Sequence, residues 1–180
     1  MKDRFLKQAR REYGPGQRAV ALVLLAPVFL FLMPCIFVVF GAWLDAWLEW
    51  PSILSPPSNV LVGCLLILLG WSLAVWSMYG LFTIGRGTPV PLMATQQIVV
   101  VPPYTYCRNP MVLGAMGLYL GVAVLFGSFG ALVLVLLAAC ALLVYVRRIE
   151  EAEMVLRFGD EYRAYRERTP FLLPRFRRRS

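Results

Sequence analysis

Four apolar runs divide this chain of 180 residues and constrain its fold more strongly than any other feature of the sequence. They cover residues 19–44, 60–84, 112–126 and 131–146, and none of them contains a charged side chain. Hydrophobic residues make up 59% of the chain and charged residues 16%, whereas an average soluble domain has about 45–50% and about 25%. A soluble core of this size could not bury the excess, so the sequence predicts helices that lie in lipid.

The lengths of the runs predict the architecture. The first two are long enough to cross a hydrocarbon layer of about 30 Å at about 1.5 Å per helical residue, and Pro27 and Pro34 predict kinks in the first. The last two are shorter and predict a helical hairpin with a tight turn at residues 127–130. We therefore expect an all-α integral membrane protein with about four transmembrane helices, a short last helical hairpin and a cytosolic C-terminal amphipathic helix.

Basic residues predict the orientation of these helices. Six of the 18 Lys and Arg residues precede residue 19, ten follow residue 146, and the loop after the first run has none. By the positive-inside rule, both termini and the loop at 85–111 are expected in the cytoplasm, in a multi-pass protein of a bacterial inner membrane. Because topology accounts for the net charge of +8, we expect no nucleic-acid partner.

The absence of histidine excludes several kinds of site. Catalytic triads, histidine general bases and most zinc or haem sites require an imidazole. Three of the four cysteines lie inside apolar runs and none forms a CxxC pair, so we expect no metal site. The chemistry must come from carboxylates, arginine, tyrosine, asparagine and backbone groups.

The first polar segment that carries candidate chemistry precedes the third apolar run. Pro110 is suited to the first position of a helix and Asn109 to its N-cap, with Arg108 beside them. A helix N-terminus with an adjacent guanidinium suits an anionic group.

Glycines 114, 117 and 121 follow the same segment at helical spacing and form a smooth stripe on one face. The interpretation that we favour is close packing against another helix. The alternative is that a cofactor lies against the bare backbone of this stripe.

The second polar segment follows the fourth apolar run. Arg147 and Arg148 precede Glu151 by four and three residues, so the sequence predicts that these side chains can meet on a helix. Gly159 is expected to end this helix and Asp160 to cap the next. An apolar stripe at helical spacing predicts that the helix lies along the membrane or the core; it consists of Met154, Val155, Phe158, Tyr162 and Tyr165.

Both segments resemble one family. Residues 103–114 are similar to the Pro-Tyr-x-Tyr-x-Arg-(His/Asn)-Pro-x-Tyr-x-Gly signature of the isoprenylcysteine carboxyl methyltransferases and the related phospholipid methyltransferases, with Val112 in place of the usual Tyr. Residues 150–165 are similar to the Glu-Glu-x-x-Leu-x-x-x-Phe-Gly-x-x-Tyr-x-x-Tyr pattern of the same family, and residues 85–89 resemble its bacterial members. The similarity covers about residues 60–175.

The resemblance implies S-adenosylmethionine as cofactor and one membrane domain: a cytosolic N-terminal segment (1–18), two transmembrane helices (19–84), and a cofactor-binding loop, hairpin and C-terminal helix (85–180). It implies catalytic roles for Arg147, Arg148 and Glu151, and it implies that the two arginines lie near the acceptor. The implied cofactor-binding residues are Tyr104, Tyr106, Arg108, Asn109, Pro110, Gly114, Gly117, Glu150 and Glu151.

The residue chemistry agrees with methyl transfer to a lipophilic acceptor. An in-line displacement needs positioning more than acid–base catalysis, and a carboxylate acceptor requires no histidine because it is already ionised. The expected reaction is O-methylation of a carboxylate on an isoprenoid-like or prenylated substrate, with membrane lipid as the other partner. The alternatives are N-methylation of a phospholipid or other lipid amine, a nicotinamide-dependent reductase of related fold, and a non-catalytic membrane scaffold.

Overall fold

A computed structural model describes residues 14–87 and 95–173 of the chain. Within these ranges all regular structure is helical, as the apolar runs predicted, and no strand is present. The helices are α1 (Pro15–Pro27), α2 (Met33–Leu48), α3 (Ser58–Thr83), α4 (Pro110–Leu125), α5 (Phe129–Tyr145), α6 (Glu151–Phe158) and α7 (Asp160–Arg168), with two π-turns at Val28–Leu32 and Val146–Glu150.

Helices α1 and α2 form one long element, Pro15–Leu48, interrupted by the first π-turn. The π-turn lies between the two prolines that predicted kinks, and the Met33 N–H reaches back five residues to the Val28 carbonyl. Because proline lacks an N–H and its ring crowds the preceding turn, a wider turn relieves the conflict. The predicted interruption is therefore one local π-turn between Pro27 and Pro34.

Helices α3 and α4 pack against each other along glycines. A Cβ atom added at Gly114 would lie 2.7 Å from the Ala74 backbone nitrogen, and one at Gly121 would lie 2.7 Å from that of Ile67. At Gly117 the added Cβ would lie 3.3 Å from the Gly70 Cα. The stripe on α4 is thus a surface of close backbone approach to α3, as the packing interpretation predicted.

The last two apolar runs form a hairpin with unequal arms. Gly127, with φ of +64°, and Ser128 make the turn, whereas Phe129 and Gly130 already belong to α5. The predicted turn at 127–130 was therefore two residues too long. The expectation of two short arms was also wrong for the second arm, because helix continues without a break through the π-turn to Phe158.

Among the described residues, three elements are long and apolar enough to cross a membrane, and α4 is a shorter apolar helix. The long ones are Pro15–Leu48, Ser58–Thr83 and Phe129–Phe158. These elements confirm an all-α integral membrane protein.

The hairpin turn is held by polar contacts from three other parts of the chain. The Asp45 carboxylate accepts the Ser128 hydroxyl at 2.5 Å and the Gly130 N–H at 2.6 Å. The Gly127 carbonyl accepts the Ile53 N–H at 3.0 Å, and the Leu125 carbonyl accepts the Asn59 side-chain amide at 3.0 Å. Asp45 therefore satisfies one of the first backbone donors of α5, the Gly130 N–H, from the neighbouring helix α2.

A sharp bend at Gly159, with φ of +56°, separates α6 from α7. Gly159 ends α6 as predicted, but it also occupies the N-cap position of α7. Asp160 is the first residue of α7, and its carboxylate accepts Arg163 at 2.5 Å instead of capping the helix. On the inner side of α7, Tyr162 and Tyr165 are buried, which follows the apolar stripe.

Candidate functional site

The two polar segments meet at one end of the helical bundle. Arg108, just before α4, contacts Glu151, the first residue of α6, with 2.6 Å between Nη1 and Oε1. The two side chains are 11% and 10% exposed. The two arms of the hairpin run antiparallel. The residues before its first arm and after its second arm therefore lie at the same end of the bundle.

The second π-turn controls which way the side chains of this segment point. It spans Val146–Glu150, so Arg147, Arg148 and Glu150 lie within it, and Glu151 follows directly. Arg147, Arg148 and Glu150 are exposed, whereas Glu151 is buried. π-turns inside α-helices are frequent at functional sites.

The predicted contacts of Arg147 and Arg148 with Glu151 are absent from the part of the chain that the structure describes. The prediction assumed α-helical spacing. The wider turn changes the angular relation between residues before and after it, so Glu151 faces Arg108 instead.

The buried Arg108 guanidinium has N–H donors without a hydrogen-bond partner among the described residues. The Nη1–Oε1 contact is an ion pair whose alignment is not that of a hydrogen bond, and Nε has no hydrogen-bond partner among the described residues. The pKa of the Tyr162 phenol is raised to about 12, first by burial and then by the Glu151 charge, an effect that the Arg108 charge partly offsets. Buried donors without partners are uncommon in proteins, so this guanidinium has capacity for a further acceptor.

The start of α4 has the predicted layout with one difference. Pro110 is the first helical residue and is buried, and Asn109 occupies the N-cap position. The Asn109 side chain does not cap the helix; its amide donates to the Phe171 carbonyl at 3.0 Å. This leaves the helix N-terminus without a side-chain oxygen from Asn109.

The two candidate tyrosines point to different environments. Tyr104 is 7% exposed, its hydroxyl lies 3.4 Å from the Ser77 carbonyl, and its own carbonyl accepts the Tyr165 hydroxyl at 2.7 Å. Burial, followed by nearby Tyr165 and Glu150, raises the pKa of the Tyr104 phenol, so it stays neutral. Tyr106 is 53% exposed, with its ring edge-on to Trp76 at 6.4 Å.

Gly114 and Gly117 pack against α3 on the face from which a Cβ atom would project. The close helix contact accounts for both residues. A role of Gly114 and Gly117 in cofactor binding stays a prediction.

Cys107, which lies between the two candidate residues Tyr106 and Arg108, is an apolar packing residue. Its side chain is 2% exposed, and burial raises the pKa of the thiol. A buried thiol with a raised pKa is a poor nucleophile.

Further contacts hold the loop that leads into the site. Arg157 on α6 donates to the Thr95 carbonyl and pairs with Glu153 at 3.5 Å. The Gly-Arg-Gly-Thr-Pro resemblance at 85–89 lies partly outside the described residues, which exclude 88–94.

Sequence reasoning missed the residues that follow α7. The Arg108 backbone N–H donates to the Pro170 carbonyl at 2.9 Å, and the Phe171 ring lies near both Arg108 and Arg147. No spacing rule links residue 171 to residue 108, because the contact depends on where α7 ends.

The described residues contain no group of three or more His, Cys, Asp or Glu side chains that could hold a metal ion. The polar groups brought together are two guanidiniums, two glutamates, tyrosine hydroxyls and a helix N-terminus. Such a set can bind a zwitterionic ligand and a second, charged head group.

Comparison with individual curated proteins gives no match. A model of the phospholipid methyltransferase family matches residues 58–161, which is more than half of the chain. The match begins with α3 and includes both Arg108 and Glu151. The chain therefore belongs to the phospholipid methyltransferase family.

Proposed function

We propose that the protein is an S-adenosylmethionine-dependent methyltransferase that acts on a lipophilic acceptor in the membrane. The observation that carries the proposal is the contact between Arg108 and Glu151. It joins the two segments that resemble the family signatures at one site, although the hairpin separates them in sequence.

The residues present suit the cofactor. The Arg108 Nε is buried without a partner among the described residues, which fits a carboxylate ligand, and the N-terminus of α4 adds a positive dipole end. Glu150 and Glu151 suit an ammonium or ribose hydroxyls, and exposed Tyr106 offers a face for a flat ring. When bound, S-adenosylmethionine would supply a methyl group on a sulfonium.

Arg147 and Arg148 are the residues that we assign to the acceptor. Both are exposed and neither forms an ion pair among the described residues, so each is available to an anion. A guanidinium orients a carboxylate through two parallel hydrogen bonds. A carboxylate acceptor is already ionised at neutral pH, so no proton has to be removed from it before methyl transfer. A chain without histidine can therefore act on it without a histidine general base. O-methylation of an isoprenoid-like carboxylate is therefore our first choice.

A lipid amine is the second candidate, and two observations favour it. Glu150 is exposed beside the site, where a carboxylate can bind a cationic head group, and the matching family model is that of phospholipid methyltransferases. An amine must lose a proton before it can attack, and Glu150 would have to accept it. In this case Arg147 and Arg148 would bind the lipid phosphate.

We also propose that the site faces the cytoplasm. Arg18 near the start of α1 donates to the Phe82 carbonyl at 2.8 Å, so the start of α1 and the end of α3 lie at the same end of the bundle. The loop from α3 leads to Arg108 at that end. Basic residues flanking membrane helices favour the cytoplasmic side.

The test is transfer of a radiolabelled methyl group by the purified protein in detergent. The acceptors are farnesylated N-acetylcysteine and, separately, mixed micelles that contain phosphatidylethanolamine. A methyl ester releases volatile methanol in base, whereas an N-methyl group does not, so the product identifies the reaction. Calorimetry with S-adenosylhomocysteine is the independent check on the cofactor; absence of binding and of transfer to both acceptors would contradict the proposal.

A further inference from the structure

After α7 the chain passes back over the start of α4. Thr169 is 6% exposed, and the next two carbonyls are both anchored: Pro170 accepts the Arg108 N–H at 2.9 Å and Phe171 accepts the Asn109 amide at 3.0 Å. We call residues 169–171 the strap. Two hydrogen bonds on consecutive residues fix the position of the Phe171 backbone at the site.

The Phe171 ring contacts arginines from both polar segments. The Arg108 Cζ lies over the ring at 5.6 Å from its centroid, and the Arg147 Cζ lies at 5.8 Å. Guanidinium groups within about 6 Å of an aromatic centroid are attracted by the ring quadrupole. The ring therefore stabilises two like charges that would otherwise repel each other.

The two arginines depend on the ring to different degrees. Arg108 is also held by Glu151 and by its own backbone bond to the strap. Arg147 is exposed, lies in the π-turn and has no ion pair among the described residues, so the ring contact is what restrains it. A free arginine side chain loses much rotamer entropy when it binds a ligand, and a preformed contact lowers that loss.

We propose that Phe171 is a positioning residue that holds Arg147 in place for the anionic group of the acceptor. The assignment of the acceptor to Arg147 rests on the proposed function, whereas the restraint of Arg147 by the ring does not. The strap is thus a third part of the site, beside the two segments that resemble the family signatures. Because Arg108 has other partners, Phe171 affects acceptor binding more than cofactor binding.

The restraint is tested without turnover by labelling the detergent-solubilised protein with phenylglyoxal and mapping the modified arginines by mass spectrometry. We expect Arg147 to react about fivefold faster in Phe171→Ala, because the cation–π contact is lost. Phe171→Trp keeps an aromatic face and should react like wild type. Leu173→Ala is the matched control, since Leu173 follows the strap and is 70% exposed. Equal Arg147 rates in wild type and Phe171→Ala would overturn the proposal.

The role in acceptor binding is tested by a double-mutant cycle with farnesylated N-acetylcysteine. We expect Phe171→Ala to raise the acceptor KM about fivefold with kcat and S-adenosylhomocysteine affinity little changed. If Phe171 acts through Arg147, adding Phe171→Ala to Arg147→Ala raises KM no further. Additive effects would overturn the positioning role. Failure of wild type to bind S-adenosylhomocysteine would instead overturn the proposed function, and the labelling rates would still decide the restraint.

Discussion

At the scale of single residues, the contact between Arg108 and Glu151 has two consequences. It brings a cation and an anion into an environment with little water, where each charge needs the other. It also leaves buried Arg108 donors without a hydrogen-bond partner among the described residues, so the fold and the proposed ligand site share this residue. We therefore expect mutation of this pair to affect stability as well as the proposed activity.

We expect Glu151→Ala to lower the free energy of unfolding by about 3 kcal/mol, because the Arg108 charge would remain buried without a partner. Adding Arg108→Met should recover part of that loss, since the unpaired charge is then removed. Thermal unfolding in detergent, followed by circular dichroism, measures both effects.

The control for this pair is the ion pair between Asp160 and Arg163, whose side chains are 92% and 57% exposed. Exposed pairs contribute about 0–1 kcal/mol. Arg163→Ala should therefore leave Tm nearly unchanged. A loss in Glu151→Ala no larger than in Arg163→Ala would contradict the structural role of the buried pair.

At the scale of elements, the second π-turn determines which side chains reach the site. Sequence periodicity predicted Arg147 and Arg148 as partners of Glu151 because it assumed a regular α-helix. A single wide turn cannot be seen in a pattern of apolar residues when the residues within it are mostly polar. The helix extends to Phe158, 12 residues beyond the end of the apolar run that predicted it. These additional residues include charged side chains, so the apolar run does not mark the end of the helix.

Inserting one alanine between Glu150 and Glu151 should rotate α6 relative to the π-turn. One residue of α-helix corresponds to about 100° of rotation, so Glu151 would turn away from Arg108. We expect S-adenosylhomocysteine affinity to fall at least tenfold by calorimetry, with the helix content unchanged. Ile149→Ala keeps the length of the segment and is the control; similar affinity in the insertion and the control would contradict this role of the segment.

Packing of α3 on α4 gives a second prediction at this scale. A Cβ at Gly114 would meet the Ala74 backbone at 2.7 Å, which cannot move away without shifting the helix. Gly114→Ala should lower stability by about 1–3 kcal/mol. Gly16→Ala in α1 is the control, because no atom lies within 4 Å of the methyl group added there.

The same variant separates the two interpretations of the glycine stripe. If the stripe serves packing, Gly114→Ala lowers Tm in the absence of any ligand. Reduced S-adenosylhomocysteine affinity at an unchanged Tm would show instead that a cofactor lies against this glycine.

At the scale of the whole molecule, the sequence predicted the helical membrane architecture and the two segments that form the candidate site. Apolar runs, prolines and basic flanks are local signals, and local signals are sufficient to place helices. The strap and the binding of the hairpin turn by Asp45 were missed because they join residues far apart in sequence. Asp45 directly follows the first apolar run in the sequence, yet it lies in the last turn of α2 and binds the start of α5.

We expect Asp45→Ala to lower the free energy of unfolding by about 1–2 kcal/mol, because the Ser128 hydroxyl and the Gly130 N–H lose their common acceptor. Thermal unfolding in detergent measures the effect. Asp45→Asn retains an oxygen acceptor and should lose less. Equal stability of wild type and Asp45→Ala would show that solvent replaces the carboxylate without cost.

The contacts of the hairpin turn have a mechanical consequence. One end of the α4–α5 pair is held by Asp45, Ile53 and Asn59, from three successive stretches of chain. A rod fixed at one end moves least there and most at the other, and the other end carries Arg108 and Glu151. We therefore expect thermal bending of the hairpin to be larger at the end that carries the proposed ligand site than at the turn.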